Sequence, residues 1–140
     1  MRAAGPGAGA TDAMPRSLSS LTVSIADDEP MVRRTLETML RALGHTVLGA
    51  AANGQELLDQ CQRQLPQLAI IDLEMPVLDG LAAAEDLRSL SPVPIILLSG
   101  HPDFKQVVRH NEPIEVYLSK PVTMRTLQKA IEQAVSQTAQ

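Results

Sequence analysis

The sequence predicts an α/β domain in which helices cover both faces of a parallel β-sheet. From Leu21 onward, short apolar runs alternate with longer segments whose apolar residues recur every three or four positions. This alternation is typical of parallel strands joined by crossover helices. The chain has 140 residues, of which 44% are hydrophobic. A chain of this size and composition usually forms one domain around one core, so we expect a single folded domain.

Five apolar runs are predicted to be strands, because each is short, rich in aliphatic residues and bounded by residues that favour turns. They cover residues 21–26, 45–50, 68–72, 94–99 and 114–118. Five segments of helical period are predicted to be helices, at residues 30–43, 54–64, 81–90, 103–110 and 123–138. Strands and helices therefore alternate along the chain, as a doubly wound sheet requires.

Local signals mark several helix ends. Pro30 suits a first helical turn and Gly44 ends the first helix. Asn53 and Thr123 are placed to cap the second and the last helix. The second helix is expected to present an inward stripe made of Leu57, Leu58, Cys61 and Leu65.

Residues 1–20 are predicted to form a disordered tail, and residues 21–138 the folded domain. Glycine and proline interrupt every apolar run of the tail, and it contains no aromatic residue. Such a segment cannot bury enough surface to offset the entropy lost on ordering. The same interruptions argue against a secretion signal. Met14 offers an alternative start.

Composition excludes several classes of function. Twelve Lys and Arg stand against 16 Asp and Glu, a net charge of −4, whereas nucleic-acid surfaces need clustered positive charge. The longest apolar run, residues 95–98, is far shorter than the ~20 residues that span a bilayer. The single cysteine, Cys61, cannot form an internal disulfide and is expected to fill the core. We expect a cytoplasmic protein that contacts neither nucleic acid nor membrane.

Polar residues stand at the carboxyl ends of four of the five predicted strands, which is where open parallel sheets bind ligands. They are Asp27-Asp28-Glu29, Asp72, Ser99 and Lys120. The first and third strands of a doubly wound sheet are neighbours, so Asp27, Asp28 and Asp72 are expected to converge. Carboxylates that lie close together repel one another, and a cluster that offers only oxygen ligands suits Mg²⁺.

This constellation resembles the receiver domain of two-component response regulators. The likeness is carried by Asp27-Asp28, the run IIDLEMPVLDG around Asp72, LLSG at Ser99 and YLSKP at Lys120. It covers residues from about 21 to 135, and four motifs in the family's order are hard to obtain by chance. The resemblance implies a flavodoxin-like, five-stranded sheet with strand order 2-1-3-4-5, flanked by five helices.

The resemblance also implies a phosphorylation site. Asp72 would accept a phosphoryl group from a phosphohistidine on a partner histidine kinase or phosphotransfer protein. Asp27, Asp28, Asp72 and the backbone carbonyl of Glu74 would hold Mg²⁺, which neutralises charge on the transferring group. The protein would be a phosphoacceptor that assists its own modification, not an enzyme with a separate substrate.

Further roles follow from the same resemblance. Lys120 would pair with one phosphate oxygen, and the Ser99 hydroxyl would hydrogen-bond another. The Lys120–Pro121 peptide would be cis. Tyr117 would be the aromatic residue that switches position on phosphorylation. Glu74 departs most from the family pattern, because it adds negative charge at a variable position that overhangs the site.

The histidines and the function leave alternatives open. His45, His101 and His110 show no metal-ligand spacing and are expected to be solvated. The main hypothesis is a single-domain switch, monomeric or weakly dimeric, that signals by binding an unknown output protein. The chain could instead be the receiver of a hybrid kinase or longer regulator, or a scaffold that signals without phosphate. A Mg²⁺-dependent phosphohydrolase of the haloacid-dehalogenase type also uses an aspartate nucleophile, but it requires a second Asp where this chain has Glu74.

Overall fold

The computed structural model describes residues 20–101 and 114–138, and its five strands form one parallel sheet. Their spatial order is β2-β1-β3-β4-β5, so the predicted order 2-1-3-4-5 is confirmed. The strands are β1 (Thr22–Ala26), β2 (Thr46–Ala51), β3 (Leu68–Asp72), β4 (Ile95–Ser99) and β5 (Val116–Ser119). The chain therefore reverses its direction of progress across the sheet between β1 and β3, which is the switch point of a doubly wound fold.

Four helices lie in the described part of the chain. They are α1 (Pro30–Ala42), α2 (Gly54–Arg63), α3 (Gly80–Leu90) and α4 (Met124–Thr138). Each agrees with a predicted helix to within a residue or two at its ends. The helix predicted at residues 103–110 and nearly all of the tail predicted at residues 1–20 lie outside the described residues.

The centre of the sheet is buried on both faces, and its strands β3 and β4 are apolar up to their last residue. Every residue of β3 and β4 is buried. Ala69 and Ile71 point into a core layer shared with α2 and α3. Leu68 and Ile70 point into a second layer shared with α1 and α4. Side chains alternate between the two faces of a strand, so a continuous apolar run fits a sheet covered by helices on both sides.

The helix caps were correctly predicted at two positions. Asn53 Oδ1 accepts a hydrogen bond from the backbone N–H of Glu56 over 2.9 Å. Thr123 Oγ1 accepts one from the N–H of Thr126 over 3.1 Å. Each side chain satisfies a donor that the first helical turn leaves without a partner. Cys61 is buried in the core layer under α2, as expected.

Two side-chain expectations were wrong. Leu65 is 46% exposed, because α2 ends at Arg63 and Gln64 already has extended backbone, so the inward stripe stops before it. His45 is buried, and its Nδ1 accepts a hydrogen bond from the N–H of Leu21 over 3.1 Å. This bond joins the starts of β1 and β2, and burial lowers the pKa of the imidazole. Among the described helices, none combines the length and apolar character needed to cross a bilayer.

Candidate functional site

The predicted site residues converge at the carboxyl edge of the sheet. Asp72 and Ser99 are the last residues of β3 and β4, Asp27 follows β1 directly, and Lys120 follows β5 directly. In-register pairing of β1 with β3, β3 with β4 and β4 with β5 brings these ends side by side. Parallel strands thus bring together residues that are far apart in the sequence.

Three carboxylates form the acidic part of the site. Asp27, Asp28 and Asp72 each place a carboxylate oxygen within 4.8 Å of the others. Asp27 and Asp72 are 0% and 3% exposed, whereas Asp28 lies at the surface. Burying two carboxylates this close together is unfavourable unless a cation compensates them.

Lys120 supplies a positive charge to this cluster. Its Nζ lies 3.0 Å from Asp27 Oδ2, 3.3 Å from Asp72 Oδ1 and 3.6 Å from Glu29 Oε1. Burial alone would lower the pKa of the ammonium, but the hydrogen bond to Asp27 and the charge of Asp72 outweigh it and raise the pKa. Lys120 is therefore protonated at neutral pH. The Lys120–Pro121 peptide is cis, as expected.

The environment of Asp72 favours its protonated form. Burial is the largest cause, the charge of Asp27 adds to it, and the pKa of Asp72 rises to about 6 even though Lys120 opposes the shift. One ammonium therefore does not fully compensate the carboxylates. At neutral pH Asp72 is still mostly ionised, which a nucleophilic role requires.

The donor set fits a hard divalent cation. Asp27 Oδ2 is shielded from solvent and lies 3.0 Å from Lys120 Nζ. A buried carboxylate oxygen is costly unless it meets a donor or a metal. Oxygen ligands from several carboxylates, with room for water beside the exposed Asp28, are what Mg²⁺ prefers.

Ser99 lies on β4, the strand next to that of Asp72, and Tyr117 lies on β5, one strand further out. Ser99 is fully buried, its Oγ accepts a hydrogen bond from the N–H of His101 over 3.0 Å, and its carbonyl accepts one from the N–H of Lys120 over 2.9 Å. Tyr117 pairs in register with Leu97 and packs, half-buried, against the core layer under α2 and α3. Ser99 is therefore on the strand adjacent to that of Asp72, and one strand separates Tyr117 from Asp72.

Glu74 borders an open groove beside the acidic cluster. The groove has a volume of about 590 Å³, and its lining includes Asp28, Glu74 and Asp79. Glu74 is exposed. Glu74 therefore borders the same groove as Asp28.

Sequence reasoning gave no role to three residues that shape the site. Glu29 contacts Lys120, as described above. Asp79 Oδ1 caps α3 by accepting from the N–H of Ala82 over 2.9 Å. The N–H of Gly80 donates to the carbonyl of Leu73 over 2.9 Å, and a Cβ on Gly80 would collide with the Asp72 carbonyl oxygen. An Asp just ahead of a helical stripe is a recognised start signal, so the cap at Asp79 could have been found from sequence.

Comparison with known proteins assigns the family. A family model of the response regulator receiver domain matches residues 23–132. The chain belongs to this family. Membership places it among the proteins of two-component signal transduction, as the resemblance implied. It also favours the receiver hypothesis over the phosphohydrolase alternative.

Relatives support the same assignment. Transcriptional regulatory protein PdtaR of Mycobacterium tuberculosis is 37% identical over 133 residues, covering 94% of this chain and 62% of that protein. The probable transcriptional regulator ycf27 of Porphyridium aerugineum is 37% identical over 110 residues, covering 78% of this chain and 45% of that protein. The chain thus spans about three-fifths of the first relative and under half of the second.

A solved structure shares the fold. The signal receiver domain of a modulated diguanylate cyclase from Desulfovibrio desulfuricans is 32% identical, with a TM-score of 0.75 over 86% of this chain and 98% of that one.

Proposed function

We propose that Asp72 accepts a phosphoryl group from a phosphohistidine on a partner histidine kinase or phosphotransfer protein. The observation that carries this proposal is the ion pair of Asp72 Oδ1 with Lys120 Nζ, 3.3 Å apart, inside a cluster of three carboxylates. The Asp72 oxygen forms a bond to phosphorus while the bond from phosphorus to the histidine nitrogen breaks. The product is an acyl phosphate on Asp72, and the histidine returns to its unmodified form.

Asp27, Asp28 and Asp72, with the backbone carbonyl of Glu74, would hold Mg²⁺. When bound, the ion neutralises charge on the phosphoryl group, which is much of what catalysis of this transfer needs. Asp27 and Asp72 are buried and fixed, whereas Asp28 faces the open groove. The donor set therefore combines two rigid ligands with one solvent-facing ligand.

Lys120, Ser99 and Tyr117 would read the modification. Lys120 already bridges Asp27 and Asp72, so a phosphate oxygen on Asp72 would take over part of this contact. The Ser99 hydroxyl, which now accepts from the N–H of His101, would donate to another phosphate oxygen. Tyr117 would follow into the space that Ser99 leaves, changing the surface near β5.

The output would be phosphorylation-dependent binding of another protein. The net charge of −4 gives no support for direct contact with nucleic acid. The curated relatives are named as transcriptional regulators, and each is longer than the part that the chain spans. A single-domain receiver and the receiver of a longer regulator would share the same phosphoacceptor site. The folded unit is proposed to cover residues 21–138.

Phosphorylation by a small-molecule donor tests the proposal. Incubation with acetyl phosphate and Mg²⁺ should add one phosphoryl group per chain, detected by intact mass, and peptide mapping should place it on Asp72. Asp72→Asn and a chelator should each abolish the addition, whereas Asp86→Asn, an exposed change on α3, should not. Uptake by Asp72→Asn equal to that of the wild type would show that the site is elsewhere.

A further inference from the structure

One arginine ties helix α1 to the loop that carries two of the site carboxylates. Nη1 of Arg33 donates a hydrogen bond to the backbone carbonyl oxygen of Asp27 over 2.6 Å. In residues 20–101 and 114–138, no ion pair joins Arg33 to a carboxylate. The side chain therefore holds the backbone of the site and does not neutralise its charges.

Asp28 has no side-chain partner of its own to hold it in place. It is exposed, and within the described part of the chain no hydrogen bond or ion pair reaches its carboxylate. Both peptide groups that flank it are nevertheless fixed. Arg33 holds the carbonyl on one side, and Asp27 Oδ1 accepts from the N–H of Glu29 over 2.9 Å on the other. With both peptide planes fixed, the direction in which the Asp28 side chain leaves the backbone is fixed as well.

A positive charge at Arg33 is electrostatically unfavourable for two reasons. Arg33 lies in the first turns of α1, where the helix dipole favours acidic residues, and the first turn of α1 contains none. A guanidinium beside a cation site also weakens cation binding by Coulomb repulsion. A residue that breaks local rules at a site is expected to have a compensating role there.

We propose that Arg33 is a positioning residue, which orients Asp28 toward the metal site by holding the Asp27–Asp28 peptide. The inference rests on the proposed function, because it concerns the Mg²⁺ site formed by Asp27, Asp28 and Asp72. For the loss of Arg33, the inference predicts a change in Mg²⁺ affinity opposite in sign to that of a simple charge effect. Loss of a nearby positive charge should tighten Mg²⁺ binding, whereas loss of the positioning contact should weaken it.

Calorimetric Mg²⁺ titration at fixed pH and ionic strength separates the two effects. Arg33→Met keeps most of the stem but loses both donor and charge, and it should bind Mg²⁺ about tenfold more weakly, as is typical for lost outer-shell partners of metal ligands. Arg34→Met removes the same charge from the neighbouring exposed position and should bind as tightly as the wild type or tighter. Arg33→Lys, which keeps a donor, should recover much of the loss.

Amide hydrogen exchange without metal gives a second readout. The N–H of Glu29 should exchange faster in Arg33→Met than in Arg34→Met, because the turn that protects it loses its anchor. Denaturation midpoints serve as the control for a general loss of stability. Such a loss would speed exchange at many amides and not specifically at the N–H of Glu29. If Arg33→Met folds poorly, the comparison of Arg33→Lys with the wild type still measures both quantities.

Two results would overturn the inference. One is Mg²⁺ affinity in Arg33→Met equal to or higher than that of the wild type. The other is failure of Arg33→Lys to recover any affinity. Failure of the proposed function looks different, because the wild type itself would then bind no Mg²⁺ or take up no phosphoryl group on Asp72.

Discussion

At the scale of single residues, the site concentrates negative charge around one ammonium. Lys120 Nζ lies within 3.6 Å of carboxylate oxygens from Asp27, Asp72 and Glu29. One positive charge cannot compensate three carboxylates, and burial, followed by the charge of Asp27, raises the pKa of Asp72. The free site therefore stores unfavourable electrostatic energy that a bound cation would relieve.

The pKa of Asp72 makes the stability of the metal-free protein depend on pH. Burial, followed by the charge of Asp27, raises this pKa from 3.8 to about 6. The folded state therefore binds this proton more tightly than the unfolded state does. Stability from this group is fully present below about pH 4 and is lost as pH rises through about 6. Asp72→Asn removes the penalty and should raise the free energy of unfolding by about 1–3 kcal/mol at pH 7.

Urea denaturation in the presence of a chelator, from pH 4 to pH 8, measures this difference. The gain in Asp72→Asn should shrink toward zero near pH 4. Asp86→Asn, at an exposed position, should stay parallel to the wild type throughout. A gain independent of pH would assign the stabilisation to something other than the ionisation of Asp72.

Glu74 is expected to lengthen the lifetime of the acyl phosphate. Glu74 is exposed and lines the same groove as Asp28, where its charge opposes the approach of an anion and disfavours the negative charge that builds on the phosphoryl oxygens during attack by water. Glu74→Ala and Glu74→Lys should therefore speed dephosphorylation by about two- to tenfold, the equivalent of a barrier change near 1 kcal/mol. The modified residue should remain Asp72.

Decay of the phosphorylated protein after removal of the donor, at constant Mg²⁺, gives the rates. Glu85→Ala removes the same charge from an exposed position on α3 and should leave the rate unchanged. Identical rates in the wild type and both Glu74 variants would show that this carboxylate does not act on the reaction.

At the scale of elements, the start of α3 is pressed against the end of β3. Gly80 donates to the carbonyl of Leu73, and Asp79 caps the helix through the N–H of Ala82. This close approach positions the loop that carries Glu74, so the packing of one helix start determines the shape of the groove.

Gly80→Ala should destabilise the fold, because the added Cβ would meet the Asp72 carbonyl oxygen and lie 2.8 Å from Leu73 Cα. Backbone atoms cannot move aside cheaply, so we expect a loss of about 1–3 kcal/mol. Gly100→Ala is the matched control, since its Cβ would lie 3.9 Å from Lys120 Cδ and has room. Urea denaturation compares the two, and equal stability would mean that the loop yields without cost.

At the scale of the whole molecule, the residues that would respond to phosphate lie on one side of the sheet. Ser99 and Tyr117 belong to β4 and β5, and Lys120 follows β5, whereas β2 lies at the opposite edge. A displacement that starts at Asp72 therefore passes toward β5 more directly than toward β2.

Phosphorylation should change hydrogen exchange most in residues 99–101 and 114–125. The shift of Ser99 and Tyr117 would loosen or repack this edge, while α2 and β2 keep their contacts. Amide exchange by mass spectrometry, before and after acetyl phosphate treatment, tests this distribution, with Asp72→Asn as the control. Changes concentrated in residues 30–65, or confined to the phosphorylation pocket, would contradict it.

Most of the fold and the site could be predicted from sequence, because the residues that mark them act on near neighbours or form recognisable motifs. Caps at Asn53 and Thr123 depend on neighbours three residues away, and strand ends locate Asp72 and Ser99. Leu65 and His45 were assigned wrongly, because exposure depends on where a helix stops and on what packs against a loop. Arg33 was overlooked, since a contact to a backbone carbonyl leaves no pattern in the sequence.

The sequence by itself determined the alternation of strands and helices, the polar residues at the strand ends and the family motifs, because each depends on residue type and short spacing. Only the tertiary structure decided how the charges meet. It placed Glu29 beside Lys120, buried Asp27 Oδ2 against the Lys120 ammonium, and raised the pKa of Asp72. Distances between side chains on different strands and their loss of solvent arise from packing of the whole chain, and electrostatic energy depends on both.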